Sequence, residues 1–475
     1  MVPRRKSFHD PDGSVYTLGC RVLRRVTELG ARRLRTFLSS SIAAELTGEA
    51  LLPRTVELNA TESGELSAAF SSDPAPGAVW FEHEHIQFQS YAHEWVPEML
   101  LDAADLTLSL ARRLHDGGWD LKDASAGNVL FSGARPVFVD FCSIVERRLD
   151  EPYWWPKGQF ERHFILPLLT FAYRGVSPAA MHLSYPDGLR HEDAFRLLAC
   201  EKWLHPIAIR HCTLPALLAR GRQGAEVSGR ATTADPETSR VAQGWQMSSL
   251  ATSLERIRKV LPRPQSRWQS YSDDRPQYSA EQLGAKRRIV GRWLSELAPR
   301  SVVDLGSNTG EFIAMAGTRG AFVVAIEGDL AAARVAYRRV RDENLRAVVL
   351  LQNVASPSPA LGWRYSEKLS LHQRLDGSFD CVMALALLHH LVATAGIPPD
   401  EVVDQLSRWT TRTLIIEYVA PTDPMFLLLT RQRRIDHTWL TQDHFVGLLR
   451  RRFKIVSAED VVPGLRTLLL CERLA

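Results

Sequence analysis

Paired cysteines are missing from this chain. Its six cysteines (Cys20, Cys142, Cys200, Cys212, Cys381, Cys471) are scattered, and no Cys-x-x-Cys occurs. That argues against a disulfide framework and a zinc ribbon, and it predicts a reducing cytoplasmic setting and no metal site. No apolar run approaches the ~20 residues that cross a bilayer, so no membrane span is expected. The opening MVPRRKSFHDPDGS has basic residues without an apolar stretch behind them, which predicts no signal peptide. An excess of one charge is lacking too: 58 Lys and Arg against 54 Asp and Glu leave a formal net charge of +4. Such a balance gives no electrostatic reason to expect nucleic acid or an anionic membrane as partner. Internal repeats are absent.

What is present suffices for two or more domains. The 475 residues are 45% hydrophobic and 24% charged, ordinary for a globular protein with a large core. Residues 1–212 mix helical and strand patterns. Residues 213–245 contain ARGRQGAEVSGRATTADPETSR, polar and rich in Gly, Thr and Arg, which reads as a linker. From 246 to 475 strands and helices alternate. Near the start, RVLRRVTELGARRLRTFL places Val22, Val26, Leu29 and Leu34 among arginines. It predicts one amphipathic helix with a solvated face rather than a membrane-surface helix.

The alternating half is the more legible. Ser279–Gln282 reads SAEQ, a capping box, and Val290, Trp293, Leu294 and Leu297 form one helical face behind it. Apolar strands are predicted at 301–305, 321–327, 346–351, 379–386 and 412–419, with helical patterns between them. Such continuous apolar strands imply an α/β fold, a parallel sheet covered on both faces. The end, FKIVSAEDVVPGLRTLLLCERL, predicts two more strands, antiparallel, joined through Pro463 and Gly464.

A strand ending in Asp304 runs into Gly306, Ser307, Asn308, Thr309 and Gly310, then a helix. Glycines allow a tight turn and close approach of a ligand, which in such sheets sits at the carboxyl ends of the strands. A pyrophosphate site wants G-x-G-x-x-G facing a helix N-terminus. Here the pattern is G-x-N-x-G, and Glu311 in the first helical turn would repel pyrophosphate. A ligand with an ammonium and no phosphate suits Asp304 better.

At these residues the region resembles the class I S-adenosylmethionine-dependent methyltransferases, with a Rossmann-like sheet of seven strands. VVDLGSNTG (302–310) is similar to their first motif, and FDCVMALALLHHL (379–391) to their fourth. The resemblance implies that Asp304, Gly306, Asn308 and Gly310 border the donor. It implies that Glu327 holds the ribose diol, and that Gln352 and Asn353 meet the adenine edge, where many members carry Asp. It covers roughly 246–475. NVASPSPALGW, LALLHHL and LIIEYVAPTDP are similar to a bacterial group with a long extra N-terminal region.

Methyl transfer from a sulfonium is an in-line displacement, helped mainly by near-attack positioning. A base is needed only for a protonated acceptor. His389 and His390 are the candidates, at most one of them facing the site if they lie on a helix. Glu417, a lone carboxylate in an apolar strand, is a third catalytic candidate, with a structural role as its alternative. Asp423 reads as a turn residue, and Tyr271 and Tyr278 as residues that pack or close over the donor. The Asn/Asp-Pro-Pro-aromatic signature of many amino-directed nucleic-acid methyltransferases is absent. The arginines at 431, 433, 434 and 450–452 read as a solvated face. Both point to a small-molecule acceptor.

LKDASAGNVLF (121–131) and VFVDF (137–141) remain. Asp123, Asn128 and Asp140 stand where protein kinases and aminoglycoside phosphotransferases keep a base and two magnesium ligands, and the resemblance covers about 95–145. A glycine-rich loop is lacking, the only lysine before Leu121 is Lys6, and DFC replaces Asp-Phe-Gly. The region is therefore expected to be a kinase-like accessory part that has lost catalysis. Two rival functions remain: an ATP-dependent phosphotransferase with an arginine in the lysine's role, and a non-catalytic donor-binding scaffold.

Overall fold

A computed structural model describes residues 4–5, 10–70, 78–221, 234–263, 279–431 and 435–474. Tyr271, Tyr278, Arg433 and Arg434 lie outside the described residues. The chain divides into a first unit (1–131, 135–263 and 360–368) and a second (132–134, 264–359 and 369–475).

The first unit opens with an antiparallel sheet of β1 (Arg4–Arg5), β2 (Gly13–Leu18), β3 (Arg21–Val26), β4 (Thr55–Glu57) and β5 (Val79–His83), in the order β1-β2-β3-β5-β4. The single helix expected over RVLRRVTELGARRLRTFL is thus a strand followed by a helix. β-branched Val22 and Val26 pair against β2 and β5. Thr27 then breaks the strand, because its hydroxyl accepts from the Gly30 amide and starts the helix Glu28–Leu38. A helix-rich part follows, led by the mostly buried helix Pro97–Asp116. It carries the loop between β6 (Trp119–Leu121) and β7 (Val129–Ser132), then β8 (Arg135–Phe138) and β9 (Ile144–Glu146). An α+β kinase-like region precedes the second unit.

The expected boundary at 246 falls inside a helix, Pro236–Val260, which belongs to the first unit. Asp235 caps it by accepting from the Thr238 amide at 3.0 Å. Met247, Leu250, Leu254 and Ile257 bury one stripe of it, and it packs on Pro97–Asp116. Leu214–Gly221 is helical as well. The polar composition of 219–240 conceals both ends of this pair; residues 222–233 lie outside the described residues.

In the second unit the capping box at Ser279 forms, and the helix Ala280–Leu297 follows. Strands β10 (Ser301–Leu305), β11 (Phe322–Glu327), β12 (Ala347–Leu351), β13 (Phe379–Ala384) and β14 (Thr410–Val419) are parallel. β15 (Phe453–Val462) and β16 (Arg466–Arg473) are antiparallel. The order β12-β11-β10-β13-β14-β16-β15 is that of the class I methyltransferase sheet. The helices Ala280–Leu297, Glu311–Gly317 and Leu330–Asp342 pack in succession, while Pro399–Trp409 packs with Gln442–Leu449. Strand order reverses between β10 and β13, so their carboxyl ends open a crevice there. Among the described residues, no helix is long and apolar enough to cross a membrane.

Candidate functional site

The crevice at the carboxyl ends of β10, β11, β12 and β13 holds a cavity of about 490 Å³. Asp304 pairs in register with Ala325 on one side and Met383 on the other, which fixes its carboxyl below the loop. Gly306 has φ 71° and Gly310 φ 84°, a region that favours glycine. A Cβ on Gly310 would meet Ala336 at 3.3 Å, so the turn is also tight against the next helix. Asn308 has φ 50°, and its amide donates to Glu327 Oε2 at 2.7 Å. The Asp329 amide donates to Glu327 Oε1 at 2.7 Å. Each oxygen of Glu327 keeps a further lone pair for a hydroxyl.

Asp304 is 2% exposed, and its Oδ2 has no hydrogen-bond partner among the described residues. Burial pushes its carboxyl up to about 7; nearby Glu327 adds to this and Lys286 opposes it. Glu327 is raised by burial too, against the pull of its amide donors. Ser307 Oγ and Asn308 Oδ1 are likewise buried without partners among the described residues. Orphaned acceptors around a glycine turn are a prepared polar site, because buried polar groups are normally satisfied.

All seven residues expected around the donor line this one cavity. Gln352 and Asn353 do so with their carbonyls engaged: Gln352 accepts from the Ser358 amide at 2.7 Å, Asn353 from the Ala355 amide at 2.9 Å.

The histidines depart from expectation. Both line the cavity, where at most one was expected to face it. They sit at the start of a π turn, His390–Thr394, rather than on a regular α-helix, with ring centroids 4.3 Å apart. Burial, then His390, Arg466 and Lys286, holds His389 well below the usual imidazole range. Its Nδ1 has no partner among the described residues. Burial lowers His390 too.

Glu417 does not line the cavity. It lies inside β14, fully buried, with Lys286 Nζ at 2.5 Å and Arg466 Nη1 at 3.9 Å. Asp423, more than a turn residue, caps the helix Pro424–Thr430 and takes Arg466 at 2.8 and 2.9 Å. Lys286 and Arg466 line the cavity between these carboxylates and Asp304. Neither was foreseen. Both carry a signal: Lys286 interrupts the apolar face of Val290, Trp293 and Leu294, and Arg466 opens a strand of continuous apolar character. The expected solvated arginines 431 and 450–452 are exposed, with Arg452 paired to Asp404.

In the first unit, Arg24 on β3 is buried against the kinase-like loop. Its Nη1 lies 3.2 Å from Asp140 Oδ1 and 3.1 Å from Cys142 Sγ, and its Nη2 donates to the Val139 carbonyl. Asp10, Asp140 and Cys142 bring ligand-type atoms within 4.8 Å of one another. The guanidinium already supplies positive charge to two of the three. Asp123 receives Gln159 Nε2 at 3.4 Å, and Asn128 Nδ2 donates to the Asp123 carbonyl at 3.4 Å. These are loop-holding bonds.

No family model matches the chain. It is 28% identical to nodulation protein NoeA of Rhizobium meliloti (strain 1021) over 473 residues, 98% of this chain and 95% of that one. Among solved structures, the bifunctional kinase-methyltransferase WbdD is similar at 23% identity and a TM-score of 0.27, over 40% of this chain and 37% of that one. Magnesium protoporphyrin IX methyltransferase (ChlM) from Synechocystis PCC 6803 with bound SAH gives 18% identity and a TM-score of 0.30, over 47% of this chain and 95% of that one.

Proposed function

We propose that this chain is an S-adenosylmethionine-dependent methyltransferase acting on a small-molecule acceptor. The observation that carries the reading is the buried carboxyl of Asp304 beneath the Gly306 turn, its Oδ2 without a hydrogen-bond partner among the described residues, with Glu327 at the end of the next strand. The residues fit the donor. Asp304 would face its ammonium, the glycine turn would let its backbone approach, and Glu327 would accept from the ribose hydroxyls. Gln352 and Asn353, which line the same cavity, would border its adenine edge.

When bound, the donor supplies an electrophilic methyl on a sulfonium. The chain's own part is positional. His389 and His390, held neutral by burial, can each donate and accept a hydrogen bond with an acceptor in the cavity. A strongly lowered imidazole is a weak base, so orientation of the acceptor is the larger share of their role. Glu417 acts through Lys286, holding it at the cavity wall, and is a positioning residue rather than a proton acceptor. The compartment proposed for this activity is the cytoplasm.

Titration calorimetry with S-adenosylmethionine tests the reading. Glu327→Ala is expected to weaken donor binding about tenfold to a hundredfold, as two buried hydrogen bonds to a charged group are lost. An unchanged affinity in a folded Glu327→Ala protein counts against it. The rival phosphotransferase reading expects magnesium-dependent ATP turnover, but a divalent cation at Asp140 would meet the Arg24 guanidinium. Asp123→Ala is expected to leave donor affinity within about twofold, since the loop belongs to the other unit. ATP turnover abolished by Asp140→Ala would reverse this assignment.

A further inference from the structure

The first unit has two adjoining cavities, about 1110 Å³ and 280 Å³, along the helix Pro236–Val260. They share Arg210, Trp245 and Ser249. The larger one is lined by aromatic rings that face outward: Trp155 is 71% exposed, Trp245 67% and Tyr153 53%. Isolated exposed aromatics are common, but three around one cavity are not a random surface. Both indole rings are held in place. Trp155 Nε1 donates to Glu151 Oε2 at 2.5 Å, and the Arg210 guanidinium lies 5.7 Å from the Trp245 ring centroid.

The smaller cavity is polar and basic. Arg210 and Arg256 both line it, and neither has a carboxylate partner among the described residues. Ser249 Oγ is buried there without a hydrogen-bond partner among the described residues. Below, His211 bonds Glu161 Oε1 at 2.9 Å and Ser253 Oγ at 2.8 Å, so the floor under Arg210 is fixed. Burial opposes ionisation of Glu161, but its bonds to His191 and His211 hold the carboxyl well below the usual range.

We propose that this groove binds an anionic pyranoside, with its ring on the indole platform and its anionic group between Arg210 and Arg256. A pyranose presents a flat C–H face that stacks on an exposed aromatic ring, and its hydroxyls pair with the serine and threonine oxygens. Two arginines suit one phosphate or carboxylate, and Glu237 on the rim disfavours a polyphosphate. The groove lies in the first unit and the inference does not depend on the methyl donor.

The test uses the full chain. Hexose 1-phosphates of gluco, galacto and manno configuration, glucuronic acid, glucose, inorganic phosphate and AMP are titrated by calorimetry. At least one anionic sugar is expected to bind at least tenfold more tightly than glucose or inorganic phosphate. The phosphate and carboxylate arms identify the anionic group. Trp245→Ala is expected to weaken that sugar at least tenfold. Arg210→Met is expected to remove the preference for the anionic sugar over glucose. Both residues are exposed, and far-UV circular dichroism and thermal unfolding of the same variants report that the protein remains folded. Absence of binding by every anionic sugar, unchanged affinity in Trp245→Ala, or tighter binding of AMP than of any sugar overturns the proposal.

Discussion

Asp304→Ala is expected to cost about a hundredfold in S-adenosylmethionine affinity, roughly 2.7 kcal/mol. The carboxyl is buried, its Oδ2 lacks a partner among the described residues, and burial pushes the group up to about 7. A bound ammonium favours its ionised form. Below pH 7 the free site holds a proton that the donor must expel, so donor affinity falls as pH falls, by up to about tenfold per pH unit. Above about 7 the dependence flattens. Asp304→Asn is expected to abolish the slope as well as most of the affinity, and calorimetry between pH 5.5 and 8.5 measures both. The same carboxyl has a stability signature of opposite use. The folded state keeps its proton more tightly than the unfolded chain does, so this group's contribution is full below 3.8 and is lost as pH rises toward 7. Asp304→Asn is therefore expected to raise the stability of the donor-free protein at pH 8, by up to ~4 kcal/mol, since moving a carboxyl from 3.8 to about 7 corresponds to that much. A variant that binds less and melts higher is the sign of a strained functional group rather than a structural one. Wild-type donor affinity that does not change with pH would defeat this account.

Lys286→Met is expected to destabilise the fold by about 3–5 kcal/mol, because it leaves the Glu417 charge in the sheet interior without its nearest cation. The pair is buried on both sides, and Arg466, at 3.9 Å from Glu417, is already bonded twice to Asp423. The double variant Lys286→Met/Glu417→Leu is expected to recover most of the loss, since an apolar pair of similar volume replaces the ion pair. Urea unfolding of the two singles and the double gives the coupling. Equal losses in the single Lys286→Met and the double variant would mean that the lysine acts by packing alone. Donor affinity of the double variant then separates the electrostatic service of Lys286 to Asp304 from its service to stability.

The sheet was legible because its strands are apolar throughout and each is followed by a helical pattern; five strands fall within a few residues of expectation. That the seven residues would meet in one cavity was legible for the same reason. Residues at the carboxyl ends of neighbouring parallel strands meet in space whatever their separation in the chain. What pairs across the site was not legible. Glu417 looked catalytic because a carboxylate in an apolar strand has no partner in its own segment. Its partner, Lys286, comes from a helix 131 residues earlier. The first unit was harder still. Val22 and Val26 fit a helical face as well as a strand, and only pairing with β2 and β5 decides between them. The polar run before Gln243 hid a helix start, because Asp-Pro-Glu reads as a turn until the buried stripe that follows is seen.

Arg24 gives the first unit a counter-ion of its own at the kinase-like loop. Its guanidinium is a permanent internal counter-ion to Asp140, covalently part of the chain. A working phosphotransferase borrows that charge from magnesium and nucleotide, so its conformation follows the energy status of the cell. Here Arg24 stands beside Asp140 without any bound ligand. On the non-catalytic reading proposed above, the charge balance of this loop is carried by the chain itself and asks nothing of the cell's nucleotide pool.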